Sequence, residues 1–153
     1  MERQCVTLAW LIQNRIMKLH FERTQKPYVF ELSNPSGVKT IIDSSTSIGG
    51  QDQGLTPMQL LAGSLAGCMS IDVLLILKKQ KIEPAVFKID MECDTHQKGN
   101  ANPFRKIHLS FLVSKDVPIE KLERAIQLSQ EKYCSVSMSL HEDIVITSAV
   151  HYI

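Results

Sequence analysis

At 153 residues, with 17 Lys and Arg against 16 Asp and Glu and a formal net charge of +1, the chain is sized for one domain with its own core. It has none of the basic excess that nucleic-acid phosphates select. Its four cysteines, at positions 5, 68, 93 and 134, form neither a dense framework nor a CxxC pair. That spacing argues against a secreted disulfide scaffold and predicts a reducing, cytoplasmic setting in which any thiol chemistry is catalytic.

The first sixteen residues, MERQCVTLAWLIQNRI, hold an apolar run from Cys5 to Ile12 behind a single Arg. The run is short for a signal sequence, lacks a small-residue cleavage site and leads straight into Gln13, Asn14 and Arg15. Residues 1–16 are therefore read as an N-terminal extension, a helix or an added strand, and residues 17–153 as a single domain. From Met17 the pattern becomes regular. Met17, Leu19 and Phe21 alternate with Lys18, His20 and Glu22, which predicts a half-buried strand, and Tyr28, Phe30 and Leu32 repeat the alternation after Pro27. Asn34 to Gly37 reads as a turn, and Val38 to Asp43 completes an antiparallel meander. Ser44 to Gly54 has no periodicity and reads as a mobile loop bordering a site.

The stretch from Thr56 to Lys81 predicts one long helix. Thr56 suits the N-cap, Pro57 the first helical position, where its missing N–H costs nothing, and Gln59 the capping-box position. Between Met58 and Leu77 the polar residues are Gln59, Ser64, Ser70 and Asp72, so the helix is expected to be buried all round. Its length would also serve a membrane span, and Gly63 and Gly67 form a GxxxG pair. Asp72 inside the span and strand patterns on both sides favour a central core helix without membrane contact. Glycines four apart allow a second backbone to approach closely, which predicts a homodimer.

Downstream, Phe87, Ile89, Met91 and Cys93 alternate with charged residues, and the loop HQKGNANP leads into Phe104 to Ser114, so a hairpin is expected. Pro118 to Glu131 carries apolar residues at helical spacing, and Asp143 to Tyr152 reads as a last strand. The segment EKYCSVSMSL is ambiguous: Val136, Met138 and Leu140 alternate with serines like a strand, yet a short helix with Cys134 in its first turn fits equally well.

A thiol near pKa 8.5 becomes a working nucleophile only when a cation, a helix N-terminus or hydrogen-bond donors favour the thiolate. Cys68 stands twelve residues after Thr56, about 18 Å along the helix, beyond reach of its dipole. Asp72, four residues on, shares its face and opposes a thiolate. Spacing alone leaves both Cys68 and Cys134 open between core packing and chemistry. Cys5 and Cys93 fall in apolar patterns, and Cys93 with His96 is a lone CxxH without the second ligand pair a zinc site requires. His20, His108, His141 and His151 read as solvated or satisfied residues.

TPMQLLAGSLAGCMSIDVLLILKK followed by EKYCSVSMSL resembles the paired cysteine motifs of the OsmC/Ohr family, the osmotically inducible and organic hydroperoxide resistance proteins. The form of the motifs, with IDV after Cys68 and EKYCSV around Cys134, is most similar to the YhfA-like branch, and the resemblance runs from about Met17 to the end. It implies an α/β (α+β) fold built as an intertwined homodimer, with antiparallel-rich sheets around a buried central helix. It also implies a thiol peroxidase that uses no metal, flavin or other cofactor. Cys68 matches the peroxidatic cysteine, which attacks an organic hydroperoxide and becomes a sulfenic acid. Cys134 matches the resolving cysteine that condenses with it, and a dithiol or a lipoylated protein restores both thiols. Relatives of this kind place an Arg and a Glu beside the thiol; Arg23 and Gln59 are the residues offered for those places here. The alternative implied by the neutral Gln59 is a catalytically weak redox-sensing or ligand-binding OsmC-like protein.

Overall fold

A β-meander needs turns that reverse the chain without leaving polar backbone unpaired, and the first of two compact units, which ends at Pro57, shows how this one does so. The computed structural model describes residues 16–153; the extension expected at residues 1–16, with Cys5 and its apolar run, lies outside them apart from Ile16. Strands β1 (His20–Gln25), β2 (Val29–Ser33) and β3 (Lys39–Ile42) pair antiparallel in the order β1-β2-β3. At the β2–β3 turn the Asn34 side-chain oxygen accepts the N–H groups of Ser36 and Val38, both at 3.0 Å, and Gly37 takes the left-handed φ of +82°. Phe21 and Phe30 stack across β1 and β2 with ring centroids 4.8 Å apart. The expected half-buried strand from Met17 is corrected on two counts: β1 begins at His20, and Met17, Leu19 and Phe21 are all exposed. Alternation marks a face of the strand, and among the described residues that face stands exposed.

The segment from Ser44 to Gly54, expected as a mobile loop, is instead tied down by one buried carboxylate. Asp43 is 1% exposed; its Oδ1 accepts Ser44 N–H at 2.7 Å, and its Oδ2 accepts Gln51 N–H at 2.8 Å and Gln53 N–H at 3.2 Å. A 3₁₀ turn at Thr46–Ile48, capped by the Ser45 hydroxyl, fills the interval. Gly54 passes so close to β3 that an added Cβ would lie 2.4 Å from the Ile41 carbonyl oxygen.

The second unit, residues 58–153, is built on the long helix. Helix α1 (Pro57–Lys79) starts behind Thr56 as its caps predict and ends two residues short of Lys81. Lys81 turns left-handed at φ +61°, Ile82 N–H returns to the Leu77 carbonyl at 3.1 Å, and the helix is closed by a Schellman-type motif. Strands β4 (Phe87–Thr95) and β5 (Phe104–Val113) form the expected hairpin, and β6 (Val145–Tyr152) lies parallel to β5 in the order β4-β5-β6. Helix α2 (Ile119–Leu128) passes into a π-helical turn at Ser129–Tyr133 and then into α3 (Ser135–Ser139), which settles the ambiguous segment as helix.

Ala62, Leu65, Met69, Val73 and Leu77 recur every three to four residues and form the buried seam of α1. They join Ile107, Leu109, Phe111 and Val113 of β5 and Leu122, Ala125 and Ile126 of α2 in one core. The expectation of a helix buried all round is thereby corrected. The seam is covered, whereas Ile71 and Leu75 on the other side are 61% and 52% exposed and the places beside Gly63 and Gly67 are open. Length and composition would let α1 cross a membrane, but its seam is part of the core it shares with β5 and α2.

Burial pushes the Asp43 carboxyl up, and the backbone N–H groups of Gln51, Gln53, Ser44 and Asp52 together hold it below the usual 3.8. A carboxylate with a depressed folded pKa stabilises the fold above its unfolded value, and this is lost as pH falls below 3.8 through the lower folded value. Asp43→Asn, which turns a donor toward amide donors, is expected to lower the melting temperature by roughly 3 to 8 °C at neutral pH and to speed amide exchange at Gln51 and Gln53. Unchanged melting and exchange would contradict this account of the loop.

Candidate redox site

Helical geometry decides where the chemistry of α1 is exposed. Cys68 and Asp72 each precede a seam residue, Met69 and Val73, so they sit at the border of the buried stripe, half-buried, one turn apart on the same side. Cys134 comes from the other end of the unit. The π-helical turn brings it back, with Cys134 N–H donating to the Ser129 carbonyl at 2.8 Å, and its side chain caps α3 by accepting Ser137 N–H at 3.3 Å. Cys134 is fully buried. Among the described residues, the sulfurs of Cys68 and Cys134 and a carboxylate oxygen of Asp72 all lie within 4.8 Å of one another. Ser129 Oγ donates to Asp72 Oδ2 at 3.0 Å and so fastens α1 to the turn that carries Cys134.

The two cysteines are not equivalent. Burial, then the hydrogen bond to the Cys68 sulfur, pushes the Cys134 thiol up to about 11, against the amide donors Ser137 and Val136. Starting a helix therefore does not activate Cys134. A five-residue helix offers a small dipole, and the loss of water outweighs it. Cys134 is thereby held protonated, and Cys68 stands half-buried beside it.

Beside the pair, Leu61 and Ser64 of α1 and Ser135, Val136, Ser139 and Leu140 of the α3 segment line an open groove of about 310 Å³. Ser64 lies one turn before Cys68, and Ser135 adjoins Cys134. The groove is mostly apolar, with hydroxyls at intervals.

The structure thus brings together Cys68 and Cys134, which spacing alone left open, and adds Ser129, which sequence reasoning missed. Nothing in the sequence marks Ser129, because the π-helical turn that aims it has no periodic signature. Gln59 stands exposed in the first turn of α1, and Arg23 stands exposed on β1 across from Phe30, in the first unit. Cys93 is exposed on β4, outside the cluster. His108 is a satisfied residue, bonded through Nδ1 to Thr147 Oγ1 at 2.8 Å. His20 and His141 are exposed beside Glu22 and Asp143.

Residues 50–149 match the family described as OsmC-like protein. The chain is 29% identical over 113 residues to protein YhfA of Escherichia coli strain K12, covering 73% of this chain and 81% of that one. Among solved structures, a hypothetical protein from Aquifex aeolicus VF5 superposes with a TM-score of 0.73 at 26% identity, covering 90% of this chain and 98% of that one. The organic hydroperoxide resistance protein OhrB of Bacillus subtilis superposes with a TM-score of 0.64 at 18% identity, over 89% of this chain and 98% of that one, a likeness of fold.

A thiol raised from 9.0 to about 11 has a thiolate fraction near neutrality lower by on the order of 100-fold. Alkylation of Cys134 by a small reagent at about pH 8 is therefore expected to be at least that much slower than for an unperturbed thiol. It should gain about tenfold per pH unit up to about 11. Quantitative mass spectrometry showing Cys134 modified as fast as an exposed thiol would contradict this.

Proposed function

The chain belongs to the OsmC-like family, and on that premise we propose that it is a thiol-dependent peroxidase for organic hydroperoxides. The observation that carries the reading is the approach of the Cys68 and Cys134 sulfurs to within 4.8 Å from opposite ends of the second unit. In the first step the Cys68 thiolate attacks the terminal oxygen of ROOH, the O–O bond breaks, and RO⁻ takes a proton to leave as an alcohol, giving Cys68–SOH. In the second step the Cys134 sulfur attacks the Cys68 sulfur and the hydroxyl departs as water with the Cys134 proton, leaving a disulfide. A dithiol, free or as a lipoyl group on a protein, then exchanges with the disulfide and leaves oxidised as both thiols return.

The unequal cysteines support this division of labour, since the half-exposed sulfur meets the substrate and the buried one waits behind it. The apolar groove beside them suits an alkyl or lipid tail. Gln59, in the first turn of α1, is the polar residue of this unit offered for the hydroperoxide head, and as a neutral amide it would hold a guanidinium less firmly than a carboxylate. The working form in this reading is a cytoplasmic homodimer, in which the exposed apolar side of α1, with its open glycines, packs against a second copy.

With excess dithiol and cumene hydroperoxide, the wild type should turn over, Cys68→Ser should lose at least about 1,000-fold in rate, and Cys134→Ser should accumulate a sulfenic acid that dimedone traps. A wild type no faster than Cys68→Ser would overturn the peroxidase reading and leave the ligand-binding one. Light scattering is expected to show a dimer that Gly67→Leu weakens at least tenfold, because the larger side chain blocks close helix approach. A stable folded wild-type monomer at micromolar concentration, or a Gly67→Leu dimer as tight as wild type, would contradict the assembly.

A further inference from the structure

We propose that the reduced cluster of Cys68, Asp72 and Cys134 binds a thiophilic divalent cation of the zinc class, and that this cation and the disulfide exclude one another. Two sulfurs and one carboxylate oxygen form a donor set suited to zinc, and all three lie within 4.8 Å of one another. Tetrahedral zinc, with bonds of about 2.3 Å to sulfur and 2.0–2.2 Å to oxygen, sets its ligand atoms roughly 3.5 to 3.8 Å apart. The cluster therefore needs to contract by no more than about 1.3 Å. The fourth position is left to solvent.

The surroundings are those of a supported ligand set. Ser129 Oγ donates to Asp72 Oδ2 at 3.0 Å, which orients the carboxylate, and its other oxygen has no hydrogen-bond partner among the described residues. Ser137 N–H at 3.3 Å supports the Cys134 sulfur. The three ligands stand on elements already fixed by the core, the seam of α1 and the N-cap of α3. A depression of about 120 Å³ lined by Asp72, Leu75, Ile76, Lys79 and Tyr133 opens at the carboxylate.

On binding, the cation replaces the proton of each thiol that carries one, so metal uptake releases protons to solvent. A disulfide has no thiolate to offer. Oxidation of the pair by a hydroperoxide, which yields the disulfide, an alcohol and water, must therefore expel the ion, and the bound ion must by the same coupling slow oxidation. The inference shares the thiol pair with the peroxidase reading but does not require turnover.

The test uses the full-length, reduced, metal-free protein under anaerobic conditions, titrated with Co²⁺ as a spectroscopic probe. One Co²⁺ per chain is expected, with thiolate-to-cobalt charge-transfer absorption in the near ultraviolet and visible bands of tetrahedral strength, all displaced by Zn²⁺. Cys68→Ser and Cys134→Ser should each diminish the charge-transfer band. Asp72→Asn, on the half-buried side, should keep the band but weaken affinity at least about tenfold, and Ser129→Ala should weaken it about tenfold. Zn²⁺-loaded protein should form the disulfide at least tenfold more slowly than metal-free protein. No charge-transfer band in excess Co²⁺, or a band unchanged in both cysteine variants, would overturn the proposal. A protein that binds Co²⁺ through these thiols but shows no turnover would sustain this inference and remove the peroxidase reading, and the reverse pair of results would remove this inference alone.

Discussion

The hydrogen bond from Ser129 to Asp72 is the interaction on which the site depends, because it joins two elements that reach the cluster by unrelated routes. Helix α1 delivers Cys68 and Asp72 through the register of its seam, in which Leu65, Met69 and Val73 are fully buried and the residue before each of the last two falls at the edge. The turn after α2 delivers Cys134, held to Ser129 by a backbone hydrogen bond. Ser129 thus touches α1 through its hydroxyl and holds Cys134 through its backbone carbonyl. Without that hydroxyl the Asp72 carboxylate, half-buried beside two sulfurs, would lose the hydrogen-bond donor that orients it.

The same geometry places two chemically identical thiols in different surroundings. Apolar neighbours surround Cys134 and water is excluded, so the proton stays. Cys68 sits one residue off the seam and is half-buried. The short Cys134–Ser139 segment is a helix of little more than one turn, bounded by a π-helical turn on one side. Bringing the sulfurs from within 4.8 Å to bonding distance requires α1 and the turn after α2 to approach one another.

Much of the fold was legible because it rests on period and punctuation. Asn34 to Gly37 announced a turn, Phe104 to Ser114 a strand, and Thr56 with Pro57 the start of α1. What escaped depends on contacts that spacing does not encode. The carboxylate of Asp43 reads as an ordinary strand end, yet it organises the segment that follows. Serines alternating with Val136, Met138 and Leu140 imitate a strand, although a π-helical turn and a capping sulfur make the segment helical. An apolar helix reads as buried on every side, because composition does not say whether the covering surface belongs to the same chain. The cysteine pair itself was visible through resemblance of motif and not through spacing, since Cys68 lies deep in a helix and Cys134 in an ambiguous stretch. Ser129 had no signal at all.

The central claim is that Cys68 and Cys134 of one chain form a working dithiol, and the most direct measurement is a map of the protein after exposure to one equivalent of an organic hydroperoxide. The account predicts the loss of two hydrogens per chain and a single new cross-link joining the Cys68 and Cys134 peptides, reversed by dithiol. Oxidation that falls on Cys93, links separate chains, or takes Cys68 to the sulfinic acid with Cys134 still free would contradict it.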